Sequence, residues 1–238
     1  MQIQKPIVVS EFPKSGGTWI VSMIGNALGV PKRDIYMGPG FNLFDAKHHP
    51  WYEGECFDFP QKSVIKSHEL PDSPLISFDA DYLHLIRDGR DVVISKYFFE
   101  RDFYPKNGIT EELKMSFDDY VEATSLEWAE YVTAWQEEPV PVIRYEDFLN
   151  NATGALDSLL NRVAGIQLSR SLLDDVVNNL SKERLSASLS KVFSHNTFVR
   201  KGIAGDWKNY FSERNVAAFK AVAGDALVSL GYEKNLDW

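Results

Sequence analysis

A lysine, a serine, two glycines and a threonine stand together in EFPKSGGTWIVSMIG, residues 11–25, between two apolar runs. Residues of these types suit an oxyanion. Gly16 and Gly17 let the backbone approach a ligand closely because no Cβ intervenes. Lys14 adds a mobile positive charge and Thr18 a hydroxyl. The nucleoside-triphosphate loop G-x-x-x-x-G-K-[ST] carries its lysine after the glycines; here the lysine precedes them. An ordinary capped turn with a surface lysine is the competing reading. Two further cation clusters fit the same chemistry. Arg87 and Ser95, in RDGRDVVISKYF, are spaced to grip a second anion, unless Arg87 simply pairs with Asp88 or Asp91. Arg200 and Lys201 open RKGIAGDWKNYF, where glycine amides and a planar guanidinium suit an anion; a solvated basic loop is the alternative. His68 is a candidate general base, since imidazole accepts a proton near neutral pH, although a lone histidine after a strand is often structural. His48 and His49 compete with it. They lie in an aromatic segment where Phe41, Trp51 and Tyr52 suit either an acceptor pocket or a packed surface loop. His84 and His195 read as structural.

The elements that must position these residues alternate. Ile7-Val8-Val9 reads as a buried strand, and Ile20, Met23, Ile24, Ala27 and Leu28 follow at helical spacing. Gly29 is placed to end that helix and Pro31 prevents its continuation. Val64-Ile65 and Tyr82–Ile86 are further strands, the second leading into a helix capped by Asp88 or Asp91. Phe117, Tyr120, Val121, Thr124, Trp128, Tyr131, Val132 and Trp135 form a long amphipathic stripe, and a strand begins at Val142 after Pro141. From Ala155 onward the pattern is helical. Alternating strands and helices predict an α/β fold with a central parallel sheet covered on both faces, whose ligands bind beyond the carboxyl ends of the strands. The glycine turn, Arg87 and Tyr145 all lie at such ends. Residues 1–238 are expected to form a single domain.

Composition narrows the function classes. The chain has 238 residues and a formal net charge of −9, which argues against bulk nucleic-acid or anionic-membrane binding. Cys56 is the only cysteine, so no internal disulfide is possible and a reducing compartment is expected. Neither a secretory signal nor a bilayer-length apolar run is visible. The expected setting is the cytoplasm. The Asn151-Ala-Thr153 and Asn179-Leu-Ser181 sequons read as chance matches.

FPKSGGTW resembles the sulfonate- and phosphate-binding loop of the sulfotransferases that use 3'-phosphoadenosine 5'-phosphosulfate (PAPS). RDGRDVVISKYF resembles their 3'-phosphate motif, RKGIAGDWKNYF their C-terminal signature, VIKSHELP their catalytic-histidine segment, and RYEDF their tyrosine-containing strand end. The segments occur in the family's order from residue 12 to about 211. The resemblance implies a P-loop nucleotide-kinase-like fold and transfer of a sulfonate from PAPS to a hydroxyl or amine of a small-molecule acceptor, with the desulfonated nucleotide PAP as product and no metal. It implies that Lys14, Ser15, Gly16, Gly17, Thr18 and Trp19 surround the phosphosulfate end and the adenine. Arg87 and Ser95 would bind the 3'-phosphate, with Phe198, Arg200, Lys201 and Gly202 closing over it and Tyr145 near the adenine. His68 would act as base, Lys14 would stabilise the leaving group, and Lys66 the transferring sulfonate. A nucleotide kinase on a related fold and a catalytically silent PAP-binding module are the alternatives.

Departures from the family pattern are also visible. Gly17 stands where threonine is common, Gly89 where proline is common, and Lys182 where many members carry an aromatic against the adenine. Glu69 is inserted between His68 and Leu70-Pro71. NYFSERNVAAF matches the dimerisation signature poorly, so a monomer or weak homodimer is expected. No nucleic-acid or membrane partner is implied.

Overall fold

The computed structural model describes residues 3–35, 62–108, 110–190 and 200–238, the side chains of residues 188 and 189 excepted. Strand β1 (Ile7–Glu11) runs through the glycine turn into α1 (Gly17–Leu28), and β2 (Lys32–Asp34) follows. Strands β3 (Val64–Ser67) and β4 (Asp81–Ile86) precede α2 (Gly89–Phe98), a π-helical turn (Phe99–Phe103) and the short α3 (Tyr104–Lys106). Then come α4 (Phe117–Gln136), β5 (Val142–Arg144), α5 (Tyr145–Ala164), α6 (Arg170–Asn179) and α7 (Lys182–Leu189). A 3-10 turn at Asp206–Asn209 and α8 (Glu213–Ser229) close the chain.

The strands form one sheet in the order β2-β3-β1-β4-β5, every described pair parallel, as the alternation predicts. Strand β1 is central, and all five of its residues are buried because helices cover both faces. Its alternation divides the core. Val8 and Phe12 pack with Trp128, Tyr131 and Trp135 of α4 and Phe219 of α8; Ile7 and Val9 pack with Ile20 and Ile24 of α1 and Leu156 and Leu160 of α5. Chain order reverses at β1, whose neighbours β3 and β4 diverge from it on opposite sides. That reversal opens a crevice at the strands' carboxyl ends. Glu11, Ser67, Ile86 and Arg144 are the last residues of β1, β3, β4 and β5, so the residues after them meet there.

Local signals hold where they are steric. Gly29 ends α1 in the left-handed conformation at φ 64°, and the Asp88 carboxylate caps α2 by accepting from Arg90 N. Gly89 is required by packing: a Cβ there would lie 2.5 Å from the Trp128 ring, so proline has no room. One expectation is corrected. The C-terminal helical region begins at Tyr145 rather than near Ala155, because Glu146 and Asp147 supply a favourable acidic first turn directly after β5. The helix is interrupted at Asn151, which leaves helical geometry at φ −154°. Among the described residues no helix is long and apolar enough to cross a membrane.

Candidate functional site

The glycine turn is a strained, well-fixed loop. Lys14 adopts φ 77° and Gly16 φ 107°, while Ser15 N donates to Phe12 O at 3.1 Å. Gly16 is dictated by its neighbour as well as by φ, since a Cβ would stand 2.5 Å from the Tyr145 ring. Trp19 N and Ile20 N bond back to Gly16 O, so the amides of the preceding turn stand at the positive end of α1. Ser15 Oγ is buried without a partner among the described residues, as an anion-facing hydroxyl would be. Lys14 Nζ lies 3.4 Å from the Phe99 ring centroid. Burial, helped by the charges of Lys66 and Arg87, lowers its pKa to about 7.

Glu11 is the feature sequence reasoning missed. Its buried side chain turns into the loop and accepts from Gly17 N at 2.6 Å. This explains the glycine at 17, because a Cβ there would collide with Glu11 Oε1 at 2.2 Å. Burial raises the Glu11 carboxyl to about 7, against the opposing pull of Lys66, the Gly17 N–H and Lys14. A glutamate closing a strand ordinarily signals a solvated edge; only the glycine six positions on hinted otherwise.

The proposed base sits beside the same residue. Strand β3 stops at Ser67, and His68 Nδ1 lies 2.8 Å from the main-chain oxygen of Glu11. That carbonyl can only accept, so Nδ1 carries the proton and Nε2 is the basic nitrogen. Burial and the Lys66 charge push the imidazole down to about 4. Lys66 bonds Asp34 at 2.7 Å. Burial alone would lower Lys66, but Asp34 and Glu11 outweigh it and hold the ammonium above its ordinary value. Since β3 ends before His68, the two side chains do not share an extended strand face. The inserted Glu69 forms its own anchored turn: its N–H donates to Ser67 Oγ, its carboxylate accepts from Ser73 Oγ, and its carbonyl accepts from Trp135 Nε1.

Arg87, after β4, reaches the loop from the other side. Its Nη1 donates to Lys14 O at 3.0 Å, and its guanidinium stacks 4.6 Å from the Tyr145 ring centroid. The two acids that might have consumed it are engaged elsewhere. Asp88 is bonded to Arg90 at 2.7 Å, and Asp91 accepts from Gly205 N and Trp207 N at 2.6 and 2.9 Å. Asp91 nonetheless lies within electrostatic reach of Arg87, and its carboxyl is raised chiefly by burial. Arg87 Nε is buried without a partner among the described residues, a donor available to an anion. Ser95 is half-buried farther along α2.

Through Asp91, α2 docks the C-terminal glycine segment. Within it, Arg200 bonds Asp206 at 2.6 Å and Tyr210 at 3.1 Å, and Lys201 bonds Asp206 at 2.7 Å. These cations are therefore partly satisfied internally. Gly202, at φ 61°, would place a Cβ 3.8 Å from the Tyr145 hydroxyl, so the segment folds back over the crevice. Tyr145 links the parts, touching Gly16, stacking under Arg87 and meeting Trp19 edge-on at 5.9 Å. Trp19 Nε1 donates to Leu180 O, and Lys182 Nζ donates to the Lys201 carbonyl rather than offering an aromatic face. Phe198, His48, His49, His195, Phe41, Trp51, Tyr52 and Cys56 lie outside the described residues. His84 is fully buried in β4.

Comparison with known proteins gives the arrangement a context. The family model described as "Sulfotransferase domain" matches residues 4–231. Mouse (Mus musculus) sulfotransferase 1B1 is 28% identical over 249 residues, covering 91% of this chain and 80% of its own. Rat (Rattus norvegicus) sulfotransferase 1A1 is 27% identical over 241 residues, covering 90% and 82%. The crystal structure of mouse sulfotransferase SULT7A1 complexed with PAP is similar in fold, with a TM-score of 0.71 at 17% identity and coverage of 94% and 85%. Retinol dehydratase in a complex with retinol and PAP gives a TM-score of 0.66 at 17% identity, with coverage of 95% and 82%.

Proposed function

This chain belongs to the sulfotransferase domain family and is a transferase, and on that premise we propose that it moves the sulfonate group of PAPS to a hydroxyl or amine of a small-molecule acceptor, leaving PAP. One observation carries the reading. The amide-lined turn of residues 14–18 and Arg87 meet at one crevice although far apart in sequence, and Arg87 is not consumed by its adjacent acids. The fit is supported by two buried polar atoms aimed at anion chemistry, Ser15 Oγ and Arg87 Nε.

In this reading Ser15, Gly16 and Thr18 hold the 5' end of the nucleotide at the α1 terminus, while Gly17, its N–H taken by Glu11, gives the loop its close approach. Trp19 and Tyr145 flank the adenine. Arg87 and Ser95 hold the 3'-phosphate, with Arg200, Lys201 and Gly202 closing over it. When bound, PAPS supplies a sulfonate on a good leaving group, so the protein's task is positioning and charge stabilisation, as in phosphoryl transfer. The His68 Nδ1–H bond to Glu11 O aims Nε2 at the acceptor, and Nε2 takes the acceptor's proton as it attacks. Burial, helped by the Lys66 charge, keeps this imidazole neutral at neutral pH, with the Nε2 lone pair open to a proton. A pKa of about 4 nonetheless makes it a weaker base than an ordinary histidine. Lys14 offsets charge on the departing oxygen. Lys66, held charged by Asp34, faces the transferring group. The protein acts in the cytoplasm as a monomer or weak homodimer.

Incubation with radiolabelled PAPS and a panel of phenols, alcohols, amines and glycans tests the activity. Label transfer to at least one acceptor, lost in His68→Ala, is expected; no transfer to any, with PAP still bound, would favour a silent binding module. Thermal stabilisation by ATP–Mg²⁺ but not by PAP would favour the nucleotide-kinase alternative.

A further inference from the structure

Glu11 is a buried acid in the middle of a site built for an anion. Its carboxylate occupies the Gly17 N–H, one of the donors the α1 terminus offers. Its main-chain carbonyl holds His68. The charged groups around it are Lys14 in the loop, Lys66 and His68 at the end of β3, and Asp34 on β2, with Arg87 behind Lys14. Asp34 is committed to Lys66. A 5'-phosphate seated on the same turn meets this like charge, which Lys66 and Lys14 offset only in part.

We propose that Glu11 couples nucleotide binding to a proton: the carboxylate takes one proton from solvent as the 5'-anion seats on the loop. The inference rests on the PAPS reading above. Protonation converts a group that can only accept into one that still accepts from Gly17 N through one oxygen and donates an O–H through the other. The repulsive neighbour becomes a further donor, and the loop geometry is unchanged. Burial already brings this carboxyl to about 7, so the added proton is readily gained near physiological pH.

The sign follows from linkage. Above about pH 7 the nucleotide-free protein has lost the Glu11 proton and binding must recover it, so PAP affinity falls about tenfold per pH unit from this group alone. Well below that pH the group contributes no dependence. Lys14, lowered to about 7, would add a dependence of the same sign, since an anion favours its charged form. Glu11→Gln separates the two. Its amide oxygen accepts from Gly17 N but cannot titrate, whereas Lys14→Arg removes only the lysine's part. Titration of the phosphates of PAP is common to all these proteins and cancels in the comparison.

Isothermal titration calorimetry of PAP at pH 8, in buffers of different ionisation enthalpy, counts the protons. Wild type is expected to take up about one more proton than Glu11→Gln, and that excess should persist in the Lys14→Arg background. Equal uptake by wild type and Glu11→Gln, with PAP bound to both, overturns the proposal while leaving the nucleotide reading intact. Failure of wild type to bind PAP removes both. Should Glu11→Gln not fold, infrared difference spectra of wild type labelled with ¹³C-glutamate decide the matter: a protonated-carboxyl band must appear on adding PAP, and its absence overturns the proposal.

Discussion

Placing alanine at Gly17 tests whether Glu11 and the glycine turn are one packed unit. The added Cβ would stand 2.2 Å from Glu11 Oε1 and 2.4 Å from Cδ, where carbon atoms ordinarily approach to about 3.5–4.0 Å. Residue 17 has no positive φ, so the penalty is purely steric. Glu11 is 2% exposed and cannot swing into solvent without losing its 2.6 Å bond. Overpacking of this kind costs about 1–3 kcal/mol, or about 2–12 °C in Tm at about 2–4 °C per kcal/mol for a chain of this size. Glu11→Ala clears the space but leaves the Gly17 N–H without its acceptor, costing about 1–3 kcal/mol. In Glu11→Ala/Gly17→Ala the new methyl occupies the vacated volume, so the alanine at 17 should become nearly free of penalty. The predicted coupling is about 1–3 kcal/mol. Urea unfolding of the four proteins at pH 7.5 measures it, provided their m-values agree. If the single effects add to within about 0.5 kcal/mol, Glu11 does not dictate the glycine and the account of this loop is wrong.

Other expectations can be checked alongside. His68→Ala should reduce sulfonate transfer by roughly 10²–10⁴-fold in single-turnover assays while PAP affinity stays near wild type; a loss of less than about threefold would remove His68 as the base. Lys14→Ala should lower turnover by roughly 10²–10³ and weaken PAP, and unchanged values for both would take Lys14 out of the mechanism. His84 gives a pH prediction. Burial depresses its folded-state pKa to about 4 from an ordinary 6.5, so the unfolded chain binds more protons between those values, and stability is full above about pH 6.5 and falls toward pH 4. His84→Leu should flatten that acid limb by up to about 1.4 kcal/mol per pH unit. His68, lowered in the same window, retains its own part. An acid limb as steep as wild type would contradict the burial argument.

The fold was legible because its signals are local. Ile7-Val8-Val9, the glycine turn and the α1 stripe read directly as strand, loop and helix, and the parallel sheet followed from their repetition. Arg87 was legible as an anion ligand from its position after a strand, but not its availability. That depends on Asp88 turning to Arg90 two positions on, and on Asp91 bonding amides at Gly205 and Trp207, which lie more than a hundred positions away and which no local pattern announces. Gly89 and Gly17 were visible as departures, yet their causes, the Trp128 ring and the Glu11 carboxylate, emerge only when distant elements pack. Glu11 itself was unreadable because an acid is expected to repel the ligand this loop suggests. The stop of β3 before His68 was hidden for a similar reason: the histidine is held by a main-chain carbonyl, which has no signature in side-chain sequence.

The central claim is that the turn of residues 14–18 and the Arg87–Ser95 pair receive the two ends of one nucleotide. A crystal structure of the protein with PAP tests it most directly. The account predicts the 5'-phosphate against the amides and Ser15 hydroxyl of that turn, and the 3'-phosphate within hydrogen-bond distance of Arg87 Nε and Ser95 Oγ. PAP bound away from either cluster, or held by one with its other phosphate in solvent, would contradict it.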